Sequence, residues 1–126
     1  MIRVVLDAGA LIALDRGDRA LWAALRAAQL SRAPVSVPTT ALAQAWRDGA
    51  RQALLARALE HCDLVAFDPL ARDVGALCGR ARTADVCDAH VALVAAARAD
   101  LLYTSDALDL RRLLRVLRAD VAVIAC

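Results

Sequence analysis

The sequence contains no lysine and very few aromatic residues. All 16 Lys+Arg residues are arginines, Glu60 is the only glutamate, and aromatic residues make up 3% of the chain. A phosphoacceptor response-regulator domain requires a lysine at a strand end, so that class is excluded. With so few aromatic side chains, recognition of nucleic acid by base stacking should be minor. The 60% hydrophobic content therefore predicts a core built from alanine, leucine and valine.

An excess of charge of one sign is also lacking, because 16 basic and 14 acidic residues nearly balance. The formal net charge is only +2, so any phosphate-binding surface has to be local. The arginine bias fits genomic GC pressure as well as it fits selection, and it is weak evidence for nucleic-acid binding.

The cysteines form no Cys-x-x-Cys pair. They stand in apolar surroundings, which predicts buried free thiols of a reducing cytosol and argues against disulfides or a zinc site. The four are Cys62, Cys78, Cys87 and Cys126.

Long apolar runs are missing as well. No stretch reaches the ~18 residues expected of a membrane span, because arginine and aspartate interrupt every one. The N-terminal residues lack the pattern of a secretory signal peptide. We expect a cytoplasmic protein with no membrane association, and the 126 residues predict one domain spanning 1–126.

The hydrophobic pattern predicts five short strands separated by helices. The predicted strands are 4–6, 35–37, 64–66, 101–104 and 121–124. The predicted helices are 8–14, one capped by Asp18, 41–46 with Thr39 or Thr40 as N-cap, 50–61, 70–82, 85–99, and 107–117 capped by Ser105 or Asp106. Strands separated by helices pair in parallel through right-handed crossovers, so the fold class is α/β, a three-layer α/β/α sandwich.

Aspartates follow two of these strands directly. Asp7 comes after strand 4–6, and Asp106 follows strand 101–104. Ligand sites in open α/β sheets lie outside the carboxyl ends of the strands, which favours a functional role. Each residue has an alternative role, because Asp7 could cap the following helix and Asp106 could interact with a helix dipole.

More aspartates are predicted at the same edge. Asp85 and Asp88 share one helix face, and Asp109 lies in the first turn of the last helix. Asp85 could be an N-cap, and Asp109 fits the dipole preference. Asp88 has apolar neighbours, which predicts burial and a counter-cation. Oxygen ligands of this kind select Mg²⁺ or Mn²⁺. The natural substrate of a protein with such an ion would be a phosphate ester.

Three stretches resemble the acidic motifs of PIN-domain proteins, in particular VapC-type toxins. They run from Val4 to Leu14, from Asp85 to His90 and from Tyr103 to Asp106. The resemblance covers essentially the whole chain. It implies a five-stranded parallel sheet of order 3-2-1-4-5 and Mg²⁺-dependent endoribonuclease activity on RNA. It also implies a homodimer and a cognate VapB-like antitoxin.

The resemblance also assigns roles to individual residues. Asp7, Asp88 and Asp106 would hold one or two Mg²⁺ ions, Mn²⁺ being possible, with Asp85, Asp109 and Gln44 as auxiliary groups. The family usually has glutamate where this chain has Gln44, and Asp48 is a candidate replacement. The lost charge leaves an alternative open, in which a catalytically weak PIN fold acts as a binding module through its antitoxin complex.

Basic residues follow the last predicted acidic motif. Along the helix after Asp106, spacing puts Arg111, Arg115 and Arg118 on roughly one face, where they either guide the RNA backbone or form an ordinary solvated face. His90 is two residues from Asp88 and points to another face, so we expect a packed or surface histidine and no general base. Gly9 stands where a haloacid-dehalogenase-like phosphatase would need its second aspartate.

Overall fold

The computed structural model describes all 126 residues, which form five strands and seven helices. The strands are β1 (Val4–Leu6), β2 (Val35–Pro38), β3 (Asp63–Val65), β4 (Leu101–Thr104) and β5 (Ala122–Ala125). The helices are α1 (Ala8–Asp15), α2 (Arg19–Leu30), α3 (Thr39–Ala45), α4 (Ala53–Leu59), α5 (Ala71–Ala81), α6 (Val86–Arg98) and α7 (Ala107–Val116). Two 3-10 turns, Gly49–Arg51 and Asp68–Leu70, precede α4 and α5.

All five strands are parallel, in the order β3-β2-β1-β4-β5. The α/β class and the strand order expected from the sequence are therefore confirmed. The central strand β1 is buried along its whole length, as a strand covered on both faces has to be. In the β1–β4 register, Leu6 lies beside Tyr103. The residues that follow these two strands consequently leave the sheet at the same edge.

The helices form two packed groups. Helices α1, α2 and α4 associate around α1, while α5, α6 and α7 contact one another, and α3 touches both α1 and α6. The core cluster of 29 buried residues consists entirely of alanine, leucine and valine, as the composition predicted. None of the helices combines the length and the apolar character needed to cross a membrane.

The segment predicted as helix 50–61 is interrupted near its start. The turn Gly49–Arg51 comes first, and α4 begins only at Ala53. Gln52 stands at the break, and its side-chain oxygen accepts hydrogen bonds from the N–H groups of Arg47 (2.7 Å) and Asp48 (3.0 Å). Its amide also donates to the Ala45 carbonyl at 2.9 Å. This nearly buried side chain thus fastens the loop between α3 and α4.

The predicted threonine N-cap before α3 is wrong. Pro38 occupies the N-cap position, and both threonines lie inside the helix. Their hydroxyls make tertiary contacts instead. Thr39 Oγ1 accepts from the N–H of Phe67 at 3.2 Å, and Thr40 Oγ1 contacts His90 Nδ1 at 2.7 Å. These bonds hold the first turn of α3 in place of a cap.

The cysteines are free thiols, as predicted, but their predicted burial is wrong. Cys62, Cys78 and Cys87 are half-buried, and Cys126 is exposed. None of them belongs to the cluster of buried alanine, leucine and valine residues that forms the core. Local desolvation, aided by the charge of Asp63, still raises the pKa of Cys62 to about 12, so this thiol is protonated at neutral pH.

Candidate metal centre

Asp7 lies where β1 passes into α1, and both of its carboxylate oxygens are engaged. Oδ1 accepts a hydrogen bond from the N–H of Ala10 at 3.0 Å, so the predicted capping role is confirmed. Oδ2 accepts from the hydroxyl of Thr104. The side chain is only 5% exposed, and burial raises its pKa, although these hydrogen bonds act in the opposite direction. Asp7 is thus a buried acid at the base of the site.

Thr104 connects Asp7 with the start of α7. This last residue of β4 is fully buried, and its Oγ1 accepts a hydrogen bond from the N–H of Asp106 at 2.8 Å. The same hydroxyl donates to Asp7. Sequence reasoning overlooked Thr104, although its place beside the strand-end aspartate was visible. The signal was a polar residue at the end of an otherwise apolar strand.

Three carboxylates converge above Asp7. One oxygen from each of Asp88, Asp106 and Asp109 lies within 4.8 Å of the other two. Asp88 is half-buried in the first turn of α6, whereas Asp106 and Asp109 are exposed at the start of α7. Asp106 occupies the predicted N-cap position, but its side chain makes no capping hydrogen bond and is free for another partner.

The three carboxylates that the structure brings together are not the same three that the sequence suggested as metal ligands. The sequence suggested Asp7, Asp88 and Asp106, whereas the structure groups Asp109 with Asp88 and Asp106. Asp7 is not in this group; its oxygens accept hydrogen bonds from Ala10 and Thr104, and its charge still contributes to the raised pKa of Asp88. Strand-end position alone does not show which aspartates have carboxylate oxygens within 4.8 Å of one another.

Asp88 is the carboxylate most affected by the cluster. Burial is the largest cause that raises its pKa, to about 7, followed by repulsion from Asp85, Asp106 and Asp7. Asp85 caps α6, as one interpretation predicted, and its Oδ1 accepts from the N–H of Asp88 at 2.9 Å. The site therefore contains a carboxyl group that is partly protonated near neutral pH.

No arginine neutralises this cluster. The chain's two ion pairs are Arg3–Asp100 and Arg51–Asp48, and neither involves a carboxylate of the site. Unpaired carboxylates held this close repel one another, and a cation between them would relieve that repulsion. Carboxylate oxygens are the donors that Mg²⁺ and Mn²⁺ prefer. The residues present thus fit a hard divalent ion.

Gln44 and Asp48, the two residues considered in place of the glutamate that the family usually has, lie in different surroundings. Gln44 lies on α3 and is exposed. Asp48 caps the turn that follows, accepting from the N–H of Ala50 at 3.1 Å, and pairs with Arg51 at 3.7 Å. Asp48 therefore has a local structural role in the loop before α4.

The predicted arginine row leads away from the carboxylates. Arg111 donates to the carbonyl of Val123 at 3.2 Å, and Arg115 is exposed one turn further on. Arg118 follows the end of α7, nine residues after Asp109, which is roughly 14 Å further along at the helical rise. Only the beginning of the row is close to the carboxylate cluster.

His90 is packed in the interior, one of the two situations expected for it. It has no exposed surface, and burial lowers its pKa, so the ring is neutral at neutral pH. Nδ1 contacts Thr40, while the buried Nε2 has no hydrogen-bond partner. Its contacts are structural and point away from a role as general base.

No protein-family model matches this chain, and no curated protein is significantly similar to it. The site itself consists of three carboxylates with oxygens within 4.8 Å of one another and the buried Asp7 nearby, and no basic side chain forms an ion pair with any of them.

Proposed function

We propose that this chain is a Mg²⁺- or Mn²⁺-dependent endoribonuclease of the PIN-domain, VapC type. The observation that carries the proposal is the meeting of Asp88, Asp106 and Asp109 within 4.8 Å, without a cationic side chain. RNA as the substrate is supported by the resemblance of the three acidic stretches to those of VapC-type toxins. The same resemblance supports a cytoplasmic homodimer that is neutralised by a VapB-like antitoxin.

In this proposal the three carboxylates hold the ion, and the residues behind them hold the carboxylates. A bound divalent ion lowers the pKa of a coordinated water and shields charge on a phosphate. Thr104 fixes Asp7 and the N–H of Asp106 at the base of the site. Asp88 releases its proton when the ion binds, since its pKa of about 7 reflects burial and repulsion that the ion offsets.

Binding of the RNA backbone falls to the near end of the arginine row. Arg111 and Arg115 are exposed on α7, the helix that begins with Asp106 at its N-cap. Each such contact would neutralise one phosphate and release counterions, so affinity should fall as salt rises. Arg118 lies beyond the C-terminal end of α7, too far from the carboxylates to contact the phosphate that is cleaved.

The test is cleavage of total RNA by antitoxin-free protein with Mg²⁺, with Mn²⁺ and with chelator. We expect metal-dependent products that disappear in Asp88→Asn and Asp106→Asn. The matched control is Asp120→Asn, which removes one exposed carboxylate outside the cluster and should cleave like the wild type. Products that persist in chelator, or in both site variants, would show that the activity does not belong to this site.

A second candidate function is a binding module with little activity. It is favoured by one observation, the engagement of both Asp7 oxygens by Ala10 and Thr104, together with the uncharged Gln44 where a glutamate is usual. Such a protein would bind Mn²⁺ with loss of affinity in Asp88→Asn, yet would give no RNA products with either metal. The cleavage assay and a Mn²⁺ titration together distinguish the two.

A further inference from the structure

Three segments meet beside α6 in a closed set of contacts. Thr39 in the first turn of α3 accepts from the N–H of Phe67, in the loop after β3. Thr40 contacts Nδ1 of His90 on α6. The circle is completed by Phe67 and His90, whose rings pack edge to face with centroids 5.4 Å apart and an interplanar angle of 79°. We call these four residues the Thr–His junction.

The ring of His90 depends on Thr40 for its polar contact. It is completely buried, and its other nitrogen, Nε2, has no hydrogen-bond partner. Phe67 limits the ring by packing, but an edge-to-face contact is weak and tolerates sliding. The 2.7 Å bond to the Thr40 hydroxyl is the polar contact of good geometry, beside a weaker interaction with the Ala66 backbone, and it ties the ring and its face of α6 to α3.

The site carboxylate of α6 lies two residues before this anchor. At 3.6 residues per turn, Asp88 and His90 are on nearly opposite sides of the helix, so the anchor holds α6 from behind the site. A rotation of about 10° about the helix axis would move a side-chain oxygen ~6 Å from that axis by about 1 Å. Metal ligands do not tolerate such a shift, because their distances are fixed within a few tenths of an ångström.

We propose that the Thr40–His90 pair is a positioning device, which sets the rotation of α6 and so holds Asp88 against Asp106 and Asp109. This inference rests on the proposed function, since it concerns the same carboxylate centre. It assigns no catalytic role to either residue. Thr40 acts through α6, where its hydroxyl contacts His90 and also lies beside the Cys87 thiol, and Asp88 belongs to the same helix.

The test compares three variants by Mn²⁺ affinity, with the metal alone as probe, and by urea unfolding. Thr40→Val keeps the shape and removes the hydroxyl, and we expect it to weaken Mn²⁺ binding about tenfold, as loss of an outer-shell contact does. Thr40→Ser restores the hydroxyl and should bind within about twofold of the wild type. Thr39→Val is the matched control, because it removes the bond to Phe67 from the same helical turn without touching His90.

Thr39→Val should lose stability to urea while its Mn²⁺ affinity stays within about twofold of the wild type. Equal weakening of Mn²⁺ binding in Thr39→Val and Thr40→Val would overturn the inference, because it would reveal a general structural role. Unchanged affinity in Thr40→Val would overturn it too, and Thr40→Ala repeats the test should the valine variant not fold. Absence of Mn²⁺ binding in the wild type would remove the proposed function itself, an outcome distinct from both.

Discussion

Thr104 donates its hydroxyl hydrogen to the carboxylate of Asp7, a residue 97 positions earlier in the chain. Both side chains are buried, and the same hydroxyl accepts from the N–H of Asp106. One uncharged side chain therefore connects the end of β1, the end of β4 and the start of α7. The base of the site is held together by this oxygen and not by an ion pair.

Replacing Thr104 by valine keeps the shape and removes this connection. It leaves one oxygen of the buried Asp7 and the partly buried N–H of Asp106 without their partner. We expect Thr104→Val to lower the free energy of unfolding by about 1–3 kcal/mol, the usual cost of stranding buried polar groups. Urea unfolding monitored by circular dichroism measures it.

Thr104→Ser is the control for that experiment. It preserves the hydroxyl and deletes one methyl group, so its loss should be about 1 kcal/mol or less. A serine variant as unstable as the valine variant would mean that packing of the methyl group, and not the hydrogen bonds, accounts for the effect.

The stability of the metal-free protein should fall as pH rises. The folded-state pKa of Asp88 is about 7, above the unfolded value of about 4, so the folded protein binds a proton that the unfolded chain releases. This contribution is fully present below about pH 4 and is lost as pH rises through about 7. The raised pKa of Asp7 acts in the same direction. Unfolding temperatures between about pH 5 and pH 8 in the presence of chelator test this expectation.

Asp88→Asn should flatten that dependence. The amide removes the repulsion from Asp85 and Asp106, so at pH 8 the metal-free variant should be more stable than the wild type, by about 1 kcal/mol once solvent screening of a half-exposed group is allowed for. If the variant and the wild type show parallel pH profiles, Asp88 does not titrate in this range.

Metal binding should release protons in a pH-dependent way. Below about pH 7 Asp88 is largely protonated, and a cation between the carboxylates requires its ionised form. We expect up to one proton released per bound Mn²⁺ at about pH 6 and close to none at about pH 8.5. Calorimetric titrations in two buffers of different ionisation enthalpy give this number, and a release that is the same at both pH values would contradict it.

Gly9 allows the turn after β4 to approach α1. A Cβ atom at this position would lie 2.1 Å from Oγ and 2.4 Å from Cβ of Ser105, which is too close for atoms to coexist. We expect Gly9→Ala to destabilise the protein by about 1–3 kcal/mol, as overpacking does, and to weaken Mn²⁺ binding by displacing the segment that carries Asp106.

Gly75→Ala provides the opposite case. This glycine lies within α5, where a Cβ would meet nothing within 4 Å, so alanine should stabilise the helix by about 0.5–1 kcal/mol. Thermal unfolding of the two variants in parallel separates the steric effect from the general helix preference for alanine. A stabilised Gly9→Ala variant would show that Ser105 moves away without cost.

The strands were predictable because short apolar runs are separated by helices, whereas their order in the sheet was implied by the resemblance to PIN-domain proteins. β1 and β4 match residue for residue, whereas β3 and β5 each begin one residue from the predicted start. These two strands lie at the sheet edges, are only partly buried, and therefore show a weaker hydrophobic pattern. Burial on both faces makes a boundary visible in sequence, and an edge position blurs it.

The location of the site was predictable from the sequence, but which aspartates form it was less so. Strand ends and helix starts placed Asp88 and Asp106 at one edge, and the structure brings them together. Asp109 joins them in this group, while the hydroxyl of Thr104 on the neighbouring strand donates to Asp7. Similarly, Thr39 and Thr40 are of a residue type that often caps helices, but their hydroxyls contact Phe67 and His90 on other elements instead. Short polar side chains have several possible partners, and only the assembled fold selects one.

The bond from Arg111 to the carbonyl of Val123 also affects how the molecule meets its neighbours. β5 is the last strand of the sheet, and alternate backbone groups on its free side have no partner strand. A guanidinium placed over one of these carbonyls occupies the position that an incoming strand would need, and brings a charge with it. The arginine first considered for RNA therefore places a charged group at the open edge of the sheet, a feature that disfavours edge-to-edge pairing of strands.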